Sequence, residues 1–591
     1  MLRSEVKTEN TWQLQDVFES DEAWQNSFDE LKKKLDCSAY VGQLGDKAKL
    51  LEFLKYNDWL CHRLEYLSVY ANLKRDEDTR VTKYNSFCGK IDMLFSAYCS
   101  ETAFYEPEMA SLSDDYLNSL ISDERFSDYD YHFKQILKKK SHIIGEKEEK
   151  TVALAGETLG TFNEVFGMID NVDLPLPEIE YKGEKRKLSH GLYAIIMNSD
   201  NRKLREEAYK KFYAAYISLI NTITANYYGN IKKDVFLSRV YKFDSCLDQA
   251  LFNEDVDKKV YENLLHCMHE NLDAMHRYIR DRKKILGCEK LYFYDIYAPL
   301  VGDVELKMPF DEAFDFVVDG LSALGEDYQN LLRKGRAERW IDVEETEGKR
   351  NGAYAGALFG LHPFVLLNYK PTTTDIFTIA HEMGHALHSY FSQNNQPYAK
   401  SEYKIFVAEV ASTVNEVLLL KHILSEAKED NLKKYLLNYY LDSIRATLYR
   451  QTMFAEFEYE AHAMVERGEP LTRENLCNLY GDIGKAYYGD DIEHDYEISC
   501  EWCRIPHFYF SFYVYKYATG ITAAINIVNN ILTKGESAVK DYFKFLSGGS
   551  STDPVSLLKL AGVDLSREEP FKVAMKEFEN CLLEFEKLMG I

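Results

Sequence analysis

The sequence has no long apolar run and little proline. In its 591 residues, no segment approaches the roughly 18 consecutive apolar residues that a membrane-spanning helix needs, so we expect no membrane partner. Proline contributes only 12 residues, whereas tyrosine and phenylalanine contribute 43 and 33. Because proline interrupts helix interiors and aromatic side chains fill packed interfaces, this composition favours a mostly helical protein. The polar stretch Met1–Glu9 lacks the apolar core of a signal peptide.

Basic residues and paired cysteines are also scarce. Lys and Arg together number 71 against 96 Asp and Glu, which gives a net charge of -25. Nucleic-acid binding needs a basic surface, so we expect no nucleic-acid partner. The 11 cysteines are an odd number without framework spacing, which indicates free thiols in a reducing cytoplasm. Cys500 and Cys503 have the spacing of a redox motif, but no second pair and no βαβ pattern accompany them.

Apolar residues recur at three- and four-residue spacing over much of the chain, which is typical of amphipathic helices. A break comes at 171–188, where Leu174-Pro175-Leu176-Pro177 cannot lie inside a helix. The Lys182-Gly183 pair after it indicates a short hairpin. The helical pattern covers residues 12–35, 47–73, 79–98, 105–138, 141–169, 201–228 and 255–285.

One helix-like stretch carries the residue types of a catalytic metal site. The segment His381-Glu382-Met383-Gly384-His385 matches H-E-x-x-H, and two histidines four residues apart project from one helix face. They can therefore bind one zinc ion, with Glu382 next to the metal-bound water as its general base. Gly384 costs about 1 kcal/mol in a helix interior relative to alanine unless close packing requires it.

A catalytic zinc needs three protein ligands and one open position, and the third ligand must come from elsewhere. A second helix-like stretch follows downstream, and Glu409 is its best candidate. Glu416 lies seven residues later on the same face, where it can accept a hydrogen bond from a ligating imidazole. Glu402 and His388 are the alternatives. Glu402 precedes the helix, and a histidine three residues after His385 would crowd the metal.

A strand-like region precedes the H-E-x-x-H stretch. Residues 340–343 and 363–369 are rich in apolar and β-branched side chains, and a glycine-rich polar segment lies between them. The edge of a small sheet beside a zinc helix can pair with the extended backbone of a peptide. We therefore predict that Gly352, Ala353 and Tyr354 bind substrate. The alternative is a hairpin that only packs against the helix.

A second histidine pair lies on the predicted helix 255–285. His266 and His269 are three residues apart, but no second segment with clear ligand spacing accompanies them. We therefore expect them to be ordinary surface or core histidines.

Two motifs together resemble the thimet-oligopeptidase-like zinc metallopeptidases, and most closely their oligoendopeptidase F branch. They are His-Glu-Met-Gly-His-Ala-Leu-His at 381–388 and Phe-Val-Ala-Glu-Val-Ala-Ser at 406–412. Specific motifs support the resemblance over 348–520. Over the rest of the chain, the length and the pattern of predicted helices agree with the family. The resemblance implies a mainly α, multi-helix zincin-type peptidase. It further implies two helical halves around a deep channel, with a small β-sheet beside the active-site helix.

The resemblance also assigns roles to individual residues. It implies one zinc ion per chain, held by His381, His385 and Glu409, with Glu382 as general base and later proton donor. A C-terminal segment around His507 resembles the part of the family in which a histidine and tyrosines donate hydrogen bonds to the substrate carbonyl and the oxyanion.

The tyrosines of this segment have two possible registers. Counting directly from His507 puts Phe512 and Lys516 at the tyrosine positions, whereas Tyr513 and Tyr517 fit after a one-residue shift. We predict Tyr513 and Tyr517 as the catalytic tyrosines.

We therefore expect a cytoplasmic, zinc-dependent endopeptidase that hydrolyses internal bonds of short unfolded peptides. One alternative is a zinc carboxypeptidase of similar helical fold, which would need a basic anchor for the free C-terminus of its substrate. The other is an inactive peptide-binding protein, against which the intact motif residues argue. The sequence does not define the oligomeric state.

Three regions are expected: 1–114, an N-terminal helical region; 115–190, an oligopeptidase F-type helical segment ending in the hairpin; and 191–591, the catalytic domain.

Overall fold

The computed structural model describes residues 1–302, 304 and 306–591, and 72% of the chain is helical. The predicted mainly α fold class is therefore confirmed. The first α-helices in chain order are α1 (Asp21–Lys34), α2 (Lys47–Glu77), α3 (Thr82–Thr102), α4 (Tyr105–Ser111), α5 (Asp114–Ile121), α6 (Asp130–Lys139), α7 (Glu146–Met168), α8 (His190–Met197), α9 (Arg202–Val240), α10 (Cys246–Glu254), α11 (Lys258–Glu270) and α12 (Asp273–Ile285).

The remaining helices and the strands follow in the same way. The helices are α13 (Phe310–Gly320), α14 (Glu326–Ala337), α15 (Thr373–Asn395), α16 (Ala408–Glu426), α17 (Asp430–Ile444), α18 (Arg450–Glu466), α19 (Arg473–Tyr488), α20 (Tyr496–Ser499), α21 (Tyr515–Lys534), α22 (Glu536–Leu546), α23 (Pro554–Leu560) and α24 (Glu569–Met589). The strands are β1 (Glu178–Tyr181), β2 (Glu184–Lys187), β3 (Leu291–Tyr292), β4 (Ile341–Glu344), β5 (Tyr354–Gly356), β6 (Phe364–Tyr369) and β7 (Ile492–Glu493). Over the described residues, no helix is both long enough and apolar enough to span a bilayer.

Side-chain caps fix where several helices begin. Asp46 accepts hydrogen bonds from two backbone N–H groups at the start of α2. Thr372 accepts one from the backbone N–H of Asp375, at 3.2 Å, at the start of α15. These oxygens satisfy donors that have no partner inside the helix. At α9 the cap is Asn201, the first residue of the predicted segment 201–228.

Four predicted helices are wrong in extent, and one of them, 201–228, continues as α9 to Val240. Residues 12–35 begin with one short 3-10 turn, Leu14–Asp16, and α1 starts only after Ser20, which caps it. Residues 105–138 divide into α4, α5 and α6, and residues 255–285 divide into α11 and α12. The buried Met268 and Met275 lie seven residues apart on either side of that break. Because this spacing keeps the helical period, the apolar pattern does not register the interruption.

The predicted hairpin is present. β1 pairs with β2 in antiparallel register. Both turn residues have positive φ, 54° at Lys182 and 80° at Gly183, which matches the twist of a two-residue hairpin.

The chain folds into two compact units, each made of segments that are discontinuous in sequence. The first unit comprises Met1–Ile143, Glu305–Ile423 and Ile527–Val563, and the second comprises Ile144–Val304, Leu424–Asn526 and Asp564–Ile591. The sequence boundaries at 114 and 190 stay predictions.

A small sheet with strand order β4-β6-β5 lies in the first unit. β4 runs parallel to β6, and β5 runs antiparallel to it. Phe364 and Leu366 of β6 belong to the same buried cluster as Trp12 and Trp24, and the indole of Trp12 donates to the carbonyl of Val365 at 2.8 Å. Helix α15 contacts β5 and β6. The core of this unit thus holds the sheet against the helix that carries H-E-x-x-H.

Candidate metal-dependent active site

Three side chains of the first unit converge as the motif predicts. His381 and His385 lie one turn apart on α15, and their Nε2 atoms are 3.2 Å apart. Glu409, in the first turn of α16, places Oε2 at 3.5 Å from the His381 Nε2 and 3.6 Å from the His385 Nε2. Two consecutive α-helices therefore present three donor atoms to one point.

The spacing of these atoms fits a zinc ion. A tetrahedral site with bonds of about 2.0–2.1 Å separates its ligand atoms by about 3.3 Å. The three separations, 3.2, 3.5 and 3.6 Å, lie close to that value. Two imidazoles and one carboxylate are also the donor set of catalytic zinc sites that keep an open position for water. The residues present thus fit the metal.

A second carboxylate orients the first histidine. The Nδ1 of His381 donates to Oε1 of Glu416. Glu416 lies seven residues after Glu409 on α16, so both project from the same face of the helix. This bond leaves Nε2 free to bind a metal. In the metal-free protein, burial lowers the pKa of His381, but the hydrogen bond and charge of Glu416 outweigh it and raise the pKa to about 9. A metal that binds at Nε2 would displace the proton from that nitrogen. Burial, with the charge of His381, lowers the pKa of His385 to about 4.

Glu382 lies beside the ligands and is only 7% exposed. Burial raises the pKa of its carboxyl to about 7 in the metal-free protein. The charge of His381 opposes this shift, and the charges of Glu409 and Glu416 add to it. A carboxyl group that titrates near neutrality can both accept and return a proton at physiological pH.

The site depends on a close approach of α15 and α16. A Cβ atom on Gly384 would lie 2.6 Å from the Cα of Ser412 and 2.7 Å from the carbonyl oxygen of Ala411. The backbone contact therefore accounts for a glycine in the middle of a helix. Asn415 adds a polar link, because its amide donates to the carbonyl of Ala380 at 3.0 Å.

The alternative third ligands do not join this group. His388 is fully buried, its ring stacks on Tyr403 with centroids 3.7 Å apart, and among the described residues neither ring nitrogen has a hydrogen-bond partner. Glu402 is exposed. Neither belongs to the metal-capable group formed by His381, His385 and Glu409 over the described residues.

The predicted substrate-binding residues lie beside α15. Gly352 and Ala353 line a cavity of about 220 Å³, together with Asp375 and Thr378. Tyr354 opens β5, the edge strand of the sheet, and its hydroxyl donates to Asp76 at 2.8 Å. An edge strand beside a cavity is the arrangement that pairing with an extended peptide requires.

The predicted oxyanion residues lie together in the second unit. The Tyr517 hydroxyl and the His507 Nε2 are 3.3 Å apart. The Tyr513 ring centroid lies 6.1 Å from that of His507 and 5.5 Å from that of Tyr517. Burial and the charge of Arg450 lower the pKa of His507, which favours a neutral imidazole. These three groups form a cluster of hydrogen-bond donors.

The rival register has a different environment. Phe512 is 3% exposed, and its ring packs against His462 with centroids 4.6 Å apart. Lys516 pairs with Glu254 at 2.7 Å. Tyr513 and Tyr517, not Phe512 and Lys516, are therefore the side chains gathered around His507.

Apart from Glu416, the sequence did not indicate the residues that support these groups. Asp76, Asn415 and Glu458 are buried polar residues that hold the site elements. Each reads in the sequence as one more polar position on a helix. Only burial, which periodicity does not resolve at single positions, could have distinguished them.

Comparisons with known proteins show which family the chain belongs to. The family model described as Peptidase family M3 matches residues 195–577, and the one described as Oligopeptidase F matches residues 108–175. The chain belongs to peptidase family M3. It is accordingly a metallo-oligopeptidase, and the predicted family and enzyme class are confirmed.

Individual relatives and solved structures are similar over nearly the whole chain. Oligopeptidase PepF of Bacillus subtilis is 42% identical over 99% of this chain and 88% of its own length. A crystal structure from Chlamydophila abortus superposes with a TM-score of 0.92 and 34% identity, covering 99% of both chains. The structure of oligoendopeptidase-F from Enterococcus faecium gives a TM-score of 0.75 and 32% identity, covering 96% of this chain and 99% of that one.

Proposed function

We propose that this M3 peptidase is a cytoplasmic zinc enzyme that hydrolyses internal bonds of short, unfolded peptides. The observation that carries the proposal is the near-tetrahedral spacing of the His381, His385 and Glu409 donor atoms. The names of its relatives, oligopeptidase and oligoendopeptidase, support the substrate class. Eleven free cysteines support a reducing compartment.

His381, His385 and Glu409 would hold one zinc ion, and Glu416 would keep the His381 ring in the tautomer that binds it. When bound, zinc supplies Lewis-acid polarisation and a water of lowered pKa. Glu382 takes the proton of the attacking water on its carboxylate and later returns a proton to the leaving amine. Glu382 is largely buried, which shields its carboxyl group from bulk water.

The remaining proposed roles belong to substrate binding and charge stabilisation. Gly352, Ala353 and Tyr354 would pair with the extended peptide backbone, since β5 is an edge strand. His507, with Tyr513 and Tyr517, would donate hydrogen bonds to the oxyanion that forms on the substrate carbonyl. Removing one such donor typically costs about 3–4 kcal/mol of transition-state stabilisation.

The decisive test compares Glu382→Gln with Glu402→Gln. We expect Glu382→Gln to keep its zinc, because no ligand changes, and to lose nearly all cleavage of a quenched fluorescent peptide. Glu402→Gln should keep both zinc and turnover, since this glutamate is exposed and outside the ligand group. Unchanged turnover in Glu382→Gln would refute the assigned base.

Peptides with a blocked C-terminus separate endopeptidase from carboxypeptidase activity. We expect mass spectrometry of an amidated peptide library to reveal internal cuts that a chelator abolishes. Cleavage limited to peptides with a free C-terminal carboxylate would instead indicate the carboxypeptidase. No cleavage by the zinc-loaded protein would indicate a peptide-binding protein.

A further inference from the structure

The segment that leads to Tyr513 and Tyr517 contains a backbone conformation that few side chains adopt. Phe512 has a φ of 57°, in the left-handed region that disfavours a bulky non-glycine residue. It is buried, and its ring lies between His462 and Tyr261, with centroid distances of 4.6 and 6.2 Å. A conformation of this kind persists only when surrounding contacts enforce it.

A buried carboxyl group supplies one such contact. The backbone N–H of Phe512 donates to Oε1 of Glu458 at 2.7 Å. Glu458 lies on α18 and is fully buried, and its Oε2 has no hydrogen-bond partner among the described residues. Burial raises the pKa of this carboxyl well above its ordinary value. The bond from the Phe512 N–H and the charge of Lys516 oppose the shift, and the charge of Asp234 adds to it. The accepting oxygen thus belongs to a carboxyl group whose charged form is disfavoured by burial.

Neighbouring contacts fix the same segment from the other side. The hydroxyl of Ser511 donates to Oδ2 of Asp234 at 2.5 Å, and His462 Nε2 lies 3.3 Å from the same oxygen. His462 also bonds through Nδ1 to the carbonyl of Glu458, at 2.8 Å. The segment borders a cavity of about 400 Å³, so it has room to move if it is released.

The conformation of Phe512 determines where the following residues point. The carbonyls of Tyr513 and Val514 accept the first backbone bonds of α21, from Lys516 and Tyr517, each at 3.2 Å. A change of φ and ψ at Phe512 would rotate Tyr513 away from His507 before the helix begins. The start of α21 would shift with it.

We propose that Glu458 is a positioning residue: by holding the left-handed backbone of Phe512, it aims Tyr513 at the oxyanion position beside His507. The proposal rests on the role of the tyrosines under Proposed function. Nothing in the motif pattern around His507 indicates it, because Glu458 comes from a different helix, 54 residues away from Phe512 in the sequence.

The matched variants are Glu458→Leu and Glu458→Gln. Leucine removes the acceptor while filling similar volume. Glutamine keeps a neutral side-chain oxygen that can accept the same bond. We expect zinc-loaded Glu458→Leu to lose about 10- to 100-fold in kcat with KM nearly unchanged. The loss should not exceed that caused by deleting the hydrogen-bond donor itself, the Tyr513 hydroxyl. Glu458→Gln should restore kcat to within about threefold of the parent chain, because the accepted hydrogen bond is kept.

A double-mutant cycle with Tyr513→Phe distinguishes positioning from general destabilisation. If Glu458 acts through Tyr513, then Glu458→Leu causes no further loss of kcat in the Tyr513→Phe background. If the kcat losses of the two single variants multiply in the double variant, the positioning role is overturned.

Hydrogen exchange of residues 508–514 gives a readout that is independent of activity. We expect exchange at least about tenfold faster in Glu458→Leu than in Glu458→Gln, because the Phe512 N–H loses its acceptor. Equal exchange in the two variants overturns the inference and leaves the proposed function intact. Faster exchange together with a fully active Tyr513→Phe overturns the catalytic role of the tyrosine, and the positioning role with it. If Glu458→Leu does not fold, Glu458→Asp withdraws the same acceptor by one methylene and is measured in the same way.

Discussion

Each unit contains a group of histidine and glutamate side chains close enough to share a metal ion, and the two groups differ in surroundings. Both present three donor atoms within 4.8 Å of one another over the described residues. In the first unit, the side chains are 18–39% exposed. In the second unit, they are 43–56% exposed. The groups are His381, His385 and Glu409 in the first unit, and His266, Glu270 and Glu568 in the second.

The difference lies in what holds the donors in place. In the first group, Glu416 fixes a ligand ring, and α15 and α16 meet at backbone distance. In the second group, Glu568 already bonds to Lys572 at 2.6 Å, which lowers the pKa of its carboxyl. Mobile exposed side chains lose conformational entropy when they converge on an ion. Preorganisation, rather than residue type alone, thus separates a catalytic metal site from a surface cluster.

The largest expected effect is a loss of zinc affinity in the first group that the second group does not share. Glu409→Gln should weaken zinc binding by more than about 100-fold and abolish activity, because loss of a ligand exceeds the 10- to 100-fold effect of a supporting group. Glu568→Gln should change neither, since its carboxylate is exposed and bonded to lysine. Chelator-competition titration measures both affinities. Loss of bound zinc in Glu568→Gln would reverse the ranking of the two groups.

The next prediction isolates the support from the ligands. Glu416→Gln should lower zinc affinity by about 10- to 100-fold, because the His381 ring loses a charged hydrogen-bond acceptor. Glu426→Gln, an exposed glutamate at the end of the same helix, is the control. The same chelator titration applies. Equal affinities in the two variants would mean that the ligand geometry alone suffices.

The close approach of the helices can be tested without changing any polar group. Gly384→Ala should destabilise the protein by about 1–3 kcal/mol, because its Cβ would overlap the backbone of α16. Gly89→Ala in α3 has open space around it and should stabilise by about 0.5–1 kcal/mol. Urea unfolding of the metal-free proteins measures both. A stable Gly384→Ala with normal zinc affinity would show that the approach is not required.

The residues of the first group and two local structures could be predicted from the sequence. H-E-x-x-H, Glu409 and Glu416 follow helical periodicity within two short stretches, so the ligand group and its support were predictable. The cap at Thr372 and the hairpin at Lys182-Gly183 follow local turn chemistry and were predictable too.

Other features depend on contacts between distant segments. The break between α11 and α12 leaves the apolar period intact, so periodicity missed it. Glu458 and Asp76 act on residues 54 and 278 positions away. A single sequence contains no local signal of such pairs.

The smallest expected effect concerns the raised pKa of a partly buried carboxyl group outside either cluster. Burial raises the pKa of Glu65, in the first unit, from 4.5 to about 7, with the charge of Glu402 adding to the shift and a bond from the Phe359 N–H opposing it. Between these two values the folded state binds one more proton than the unfolded state, so stability falls as pH rises from about 4.5 to 7. Glu65→Gln removes this loss. Because Glu65 is partly exposed, we expect a gain of about 1 kcal/mol relative to the parent chain on going from pH 5 to pH 8.

Urea unfolding at the two pH values measures this difference, with the exposed Glu568→Gln as control. Its pKa is lowered rather than raised, so it should show no such gain. If Glu65→Gln and the parent chain change in parallel between pH 5 and pH 8, burial at this position does not hold the proton. The contrast between buried and exposed carboxyl groups would then have to come from the local charges instead.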